Sequence, residues 1–170
     1  SMFFNRTATF AVCQQVGASC ETADETAPEI VAASEDGMTL VYTDSPLGVI
    51  GLIDITDPKS PKPLGNIDMG GEPTTAQIIG GRAYVGVNTS ESFATPSGKL
   101  VTIDLATRAV VAECDLGGQP DSVAKAKDGT AELDQLRTVV GGLGVGEVSL
   151  QEFGDPSTVL IRVQRQEGDN

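Results

Sequence analysis

A nine-residue phrase occurs twice in this chain, and its recurrence restricts the fold more than any other feature. Asp68-Met69-Gly70-Gly71-Glu72-Pro73-Thr74-Thr75-Ala76 returns 47 residues later as Asp115-Leu116-Gly117-Gly118-Gln119-Pro120-Asp121-Ser122-Val123. Pro28-Glu29-Ile30-Val31-Ala32 holds the same place one unit earlier, 45 residues before Pro73. A chain that repeats at this interval builds its core by stacking one supersecondary unit on the next.

Within a unit the punctuation is regular. A Pro leads into a short apolar strand, and Glu35-Asp36-Gly37 or Gly80-Gly81 makes a tight turn. A second strand runs from Met38 to Tyr42, or from Ala83 to Val87. A loop ending in Gly48 or Gly98 then opens a third strand, Val49 to Ile55 or Lys99 to Leu105. Asp57-Pro58 or Ala106-Thr107 turns the chain into a fourth strand that ends at the next Gly-Gly. Four short strands per unit of about 45 residues is the spacing of a propeller blade. The third strands alternate poorly between apolar and polar residues, so they should be buried on both faces.

The third unit starts at Pro120 and reaches the turn Asp128-Gly129, where a second strand is due. Instead Leu133, Leu136, Val140 and Leu143 recur at helical spacing, with Thr130 as cap and Gly141-Gly142 as terminator. Two strands then follow, Glu147 to Phe153 and Thr158 to Gln164, joined by a Gly154-Asp155-Pro156-Ser157 turn. The expected fold is therefore mainly β: two and a fraction propeller-like four-stranded blades, followed by a helix and a β-hairpin. The expected divisions are 1–26, an N-terminal strand and acidic linker; 27–130, the blade repeats; and 131–170, the helix and hairpin.

Composition removes several functional classes. A formal charge of −13 opposes binding to nucleic acid, which needs clustered Lys and Arg, and to anionic membrane surfaces. The chain has no His, which excludes Ser-His-Asp and Cys-His catalysis and His-ligated metals within this chain alone. Aromatic residues are 4% of the chain and Trp is absent, so the core must rest on Val, Ile, Leu and Ala. No apolar run reaches the roughly 18 residues that span a bilayer, so no membrane insertion is expected. No signal peptide is visible at the N-terminus.

Three cysteines are too few and too widely spaced for a zinc ribbon. Cys13 and Cys20 can close a short disulfide loop in an oxidising compartment or stay reduced; two free thiols are the favoured reading. Cys114 sits in a strand pattern and reads as a small core residue.

The residues from 7 to 130 resemble the N-terminal propeller region of bacterial phytase-like esterase or alkaline-phosphatase-like proteins. The resemblance is carried by Glu29 to Gly37, Tyr42 to Pro46, Ile53-Asp54-Ile55-Thr56-Asp57-Pro58, Asn88-Thr89-Ser90-Glu91 and Leu116 to Val123. It implies a propeller fold and a secreted or periplasmic origin. Residues 131 to 167 resemble part of the first periplasmic domain of SecF, a protein-export membrane protein. That resemblance rests on Leu136-Arg137, Gly142-Leu143-Gly144, Gly146 to Gly154 and Val159 to Val163, and it implies a helix–strand–strand piece. Two unrelated resemblances meeting inside an unfinished unit point to a chimera, whether a recombined reading frame, a mis-joined one or an engineered fusion.

No complete active site is visible. The Asp68 and Asp115 turns are not phosphate cradles, because such a loop must enter a helix N-terminus and here Pro and a strand follow. Asp54, Asp57, Asp104 and Asp115 can supply oxygen ligands to Ca²⁺, but without EF-hand spacing. Asp54 and Asp104 hold equivalent repeat positions, which favours a shared role in stabilising turns. Ser45, Ser90, Ser92 and Ser97 lack the Gly-x-Ser-x-Gly elbow of a nucleophile. The expected function is a non-catalytic structural or binding module, completed by self-association because two blades leave apolar edges uncovered. A calcium-assisted phosphoesterase of the phytase-like class is the alternative, and a periplasmic accessory domain of protein export the second.

Overall fold

The computed structural model describes residues 5–17, 20, 25–125 and 159–163. The repeat unit is a four-stranded antiparallel meander. Strands β1 (Pro28–Ala33), β2 (Thr39–Asp44), β3 (Val49–Asp54) and β4 (Lys62–Asp68) form the first sheet in sequential order. Strands β5 (Glu72–Ile79), β6 (Arg82–Asn88), β7 (Gly98–Asp104) and β8 (Ala109–Asp115) form the second in the same order. Both sheets are open, so each has two edge strands.

The third unit contributes β9 (Pro120–Lys125), which pairs antiparallel with β10 (Val159–Val163). β10 is the second strand of the expected hairpin. The expected helix at 131–143 and the first hairpin strand at 147–153 lie outside the described residues. Observed strand bounds differ from the expected ones by one or two residues, where fraying and turn geometry decide the ends.

Packing follows the alternation of side chains across each strand. Val41, Ile50 and Leu52 of the first sheet meet Ile78, Val85, Val101 and Ile103 of the second in one apolar layer. The opposite face of the second sheet puts Ile79, Tyr84 and Leu100 against Leu116 and Val123 of the third unit. The second sheet is thus covered on both sides, and the interior of β7 is fully buried as the unpatterned apolar run requires. Each such aliphatic side chain contributes roughly 1.5–3 kcal/mol by leaving water. Cys114 is only half-buried, at the margin of the second layer rather than inside it.

Residues 5–17 hold a 3-10 helix, Val12–Gln15, and no strand; residues 1–4, 18–19 and 21–24 of the expected N-terminal segment lie outside the described residues. One N-terminal expectation needs correction. Cys13 and Cys20 are not free thiols but a disulfide, with Cα atoms 4.9 Å apart. The reversal is local: the Val12–Gln15 turn and the Cys20 N–H to Gly17 O bond bring the chain back, and Cys20 takes a left-handed backbone, φ 55°, that sets the direction of its side chain. Spacing alone does not specify that turn.

Candidate functional site

The recurring Asp-x-Gly-Gly phrase makes the corner that leads each sheet into the next. Asp68 Oδ1 accepts the Gly70 N–H at 2.8 Å, and Asp115 Oδ1 accepts the Gly117 N–H at 2.8 Å. The first glycine of each phrase has positive φ, 62° at Gly70 and 64° at Gly117, where a side chain is strained. The intervening apolar residue is buried, Met69 in one corner and Leu116 in the other. Its N–H donates to a glycine carbonyl across the sheet: Met69 to Gly48 at 3.0 Å and Leu116 to Gly98 at 2.9 Å. The phrase is therefore a structural corner, and a strand follows it both times, β5 and then β9.

Past each corner, the sheets are tied through the carbonyl of the repeated proline. Pro73 O accepts from Ser45 Oγ at 3.1 Å, and Pro120 O accepts from Thr74 Oγ1 at 2.9 Å. The buried Thr75 hydroxyl accepts the Val123 N–H at 3.1 Å. At the outer rim, Arg108 Nη1 donates to the Leu64 carbonyl at 3.0 Å and joins the β7–β8 turn to β4. Sequence reasoning missed these contacts, and singled out Ser45 only as a serine without a nucleophile elbow. A run of hydroxyl-bearing residues beside the repeated proline was the one available signal, and nothing marked Arg108.

The four calcium-ligand candidates are dispersed. Asp54 and Asp57 lie in the β3–β4 turn, Asp104 in the β7–β8 turn and Asp115 at the β8–β9 corner. Each carboxylate accepts bonds within its own turn. Asp54 takes the Thr56 N–H at 2.8 Å and Asp57 the Lys59 N–H at 3.0 Å. Asp104 takes both the N–H and the hydroxyl of Thr107, at 2.8 and 3.0 Å. The Thr56 hydroxyl holds the Asp54 carboxyl below the usual carboxylate range, and the Thr107 N–H does the same for Asp104. Among the described residues, no three His, Cys, Asp or Glu side chains are placed together to hold a metal ion. The serines singled out in the sequence are also in loop hydrogen bonds: Ser90 Oγ donates to the Ser97 carbonyl at 3.0 Å and accepts the Ser97 N–H at 2.9 Å, and the Ser92 and Thr95 hydroxyls bond each other.

The remaining constellation gathers on the far side of the first sheet. A register shift between Leu52 and Ile53 opposite Gly65 and Pro63 interrupts the β3–β4 ladder, and Gly65 adopts φ 100°. Such a bulge leaves backbone groups unpaired. The Gln15 side chain fills the gap: its Nε2 donates to Leu52 O at 2.6 Å, and its Oε1 accepts the Gly65 N–H at 2.8 Å. Gln15 also hydrogen-bonds the phenol of Tyr42, whose ring lies over its cross-strand partner Gly51. Burial, with the neighbouring Asp44 carboxylate, pushes the Tyr42 phenol up to about 12. Among the described residues, no helix is long and apolar enough to cross a membrane.

No protein-family model matches the chain, and no curated protein does. In structure it is similar to part of Kuenenia stuttgartiensis hydrazine synthase, with 21% identity, TM-score 0.47, and coverage of 56% of this chain and 26% of that one. It is also similar to part of a functionally unknown protein from Desulfotomaculum acetoxidans, with 12% identity, TM-score 0.49, and coverage of 58% and 30%. A third is Myxococcus xanthus glutaminyl cyclase, with 16% identity, TM-score 0.41, and coverage of 62% and 43%. The matched part spans less than half of each of those chains.

Proposed function

We propose that this chain is a non-catalytic module of propeller-like blades, completed by self-association and used as scaffold or binding surface. The carrying observation is that one stacking relation occurs twice. The face of the first sheet covers β5, and the face of the second covers β9, through the same corner and the same proline carbonyl. A relation that repeats by rotation and translation is one that further copies can extend until it closes or is capped. Closed propellers of this kind use four to eight blades, more than one copy supplies in its two full sheets. Among the described residues, four of the seven large apolar side chains left in water, Ile30 and Val31 on β1 and Val110 and Val111 on β8, lie on edge strands of the stack, while Val16, Met38 and Phe93 lie outside the strands.

Several properties in this reading stand on resemblance: the kinship of the repeats with phytase-like proteins, that of the C-terminal piece with SecF, and the chimera joining them. An extracytoplasmic origin has one support besides resemblance, the Cys13–Cys20 disulfide, since such bonds persist in oxidising compartments.

Light scattering at tens of micromolar tests self-association: a dimer or larger ring is expected, and a strict monomer overturns it. Turnover of p-nitrophenyl phosphate and p-nitrophenyl acetate, with and without Ca²⁺, tests the absence of catalysis. Background rates are expected, and calcium-dependent turnover would replace this reading with the phosphoesterase one.

A further inference from the structure

We infer that the Cys13–Cys20 turn is a redox-operated plug, in which the disulfide holds Gln15 in the β3–β4 bulge and its reduction withdraws Gln15 and opens that bulge. Among the described residues, little else orders the turn. Its 3-10 helix is four residues long, buries none of them, and has no side-chain cap. Runs this short have poor hydrogen-bond geometry and do not persist alone. Among the described residues, the backbone bonds within the turn are Gln14 N–H to Ala11 O, Val16 and Gly17 N–H to Cys13 O, and Cys20 N–H to Gly17 O. Two side-chain restraints among the described residues anchor it where it packs against β4, the disulfide and the Gln15 amide.

Those two restraints are mechanically coupled. Gln15 lies two residues from Cys13, inside the loop that the disulfide closes. Closing a short loop reduces the number of backbone states open to it, and so lowers the entropy lost when Gln15 docks. Opening the loop restores that entropy and leaves the amide's hydrogen bonds, each contributing about 1 kcal/mol net, to hold the segment. The chemistry balances with an external dithiol. Its thiolate attacks one sulfur, the Cys13–Cys20 bond breaks, both cysteines become thiols, and the dithiol leaves as a disulfide.

The groups uncovered are specific. Gln15 is the partner of the Leu52 carbonyl and the Gly65 N–H where the ladder is interrupted, and it touches the Tyr42 phenol. Withdrawal therefore leaves a donor and an acceptor open beside edge strand β4. The second sheet shifts register at the equivalent place, between Thr102 and Ile103, and no described side chain bridges that shift as Gln15 does. The plug is thus an addition to the first sheet rather than a property of the repeat.

Amide hydrogen exchange on the full chain tests this, in a Cys114→Ser background that leaves two cysteines. Dithiothreitol is expected to speed exchange at Gly65 by about tenfold, the loss of one net hydrogen bond, and reoxidation to restore protection. Cys13→Ser/Cys20→Ser should match the reduced protein. Gln15→Ala should exchange fast at Gly65 in both redox states. Unchanged Gly65 protection after reduction overturns the inference. So does a loss that extends equally to Val85 and Val101 in the second sheet, because the disulfide would then support the whole fold rather than the plug. These readouts are independent of self-association, so each idea can fail without the other.

Discussion

Thr74 Oγ1 donates to the Pro120 carbonyl oxygen at 2.9 Å, a bond that ties the second sheet to the third unit. Ser45 makes the equivalent bond to Pro73 at 3.1 Å, but from a second hydroxyl-bearing position one sheet earlier. The bonded atom is conserved within the repeat while the donor is not, so the stacking geometry itself demands a donor there. Thr74→Val, which keeps shape and removes the donor, should lower unfolding free energy by about 1 kcal/mol. Urea denaturation with an unchanged m-value would register it, and an unaltered midpoint would show the bond to be dispensable.

Gly98 meets the next corner at close range. A Cβ there would lie 2.5 Å from the Gly118 carbonyl oxygen, and backbone cannot rotate aside as a side chain can. Gly98→Ala should cost about 3 kcal/mol, at the upper end for overpacking. Gly17→Ala is the control, since nothing lies within 4 Å of its added carbon; it should stay within about 0.5 kcal/mol of the parent. Thermal unfolding of the two variants separates close approach from a general intolerance of substitution.

Tyr42 makes the fold sensitive to alkali. Its phenol is raised from 10.0 to about 12 in the folded chain, so the folded state holds this proton more tightly than the unfolded state. The stabilisation is complete below pH 10 and is lost as pH rises toward about 12. The loss should be on the order of 2 kcal/mol. The chain has two tyrosines, so in a Tyr84→Phe variant the tyrosinate absorbance reports Tyr42 alone and should rise near the upper value. Absorbance that rises at pH 10 would mean an open phenol.

Calcium should leave the protein unchanged. Asp54, Asp57, Asp104 and Asp115 each accept hydrogen bonds from their own turn, so recruiting them to a cation would break those turns. Millimolar Ca²⁺ or EDTA should shift the melting temperature by less than about one degree, the near-zero shift expected of a protein that does not bind the added ion. Asp104→Ala should instead lower the melting temperature by the same amount with or without the ion, as loss of a turn-capping side chain does. A calcium-dependent rise in melting temperature that Asp104→Ala abolishes would restore the metal reading.

The residues from 28 to 125 carried much of their organisation openly. Glycine at 70 and 117, aspartate two residues earlier and proline three residues later specify a corner, because only glycine takes the left-handed backbone there without strain. Apolar runs at Val49–Asp54 and Gly98–Asp104 specify inner strands, since a strand covered on both faces cannot alternate. These are local rules, satisfied within a few residues, and so they are legible without coordinates. The turn role of Asp54 and Asp104 was legible for the same reason.

What the tertiary structure alone decided is everything that depends on distant segments meeting. Gln15 reaches Gly65, fifty positions further along the chain, Arg108 reaches Leu64 and Thr74 reaches Pro120. None of these pairs leaves a mark in spacing or composition. Whether Cys13 and Cys20 join depended on a local chain reversal, with a left-handed backbone at Cys20, that their spacing did not announce. Hydrogen bonds and disulfides are short-range, but the chain separations they bridge are not, so the sequence determines the pieces and their corners while the packed fold decides which groups are brought together.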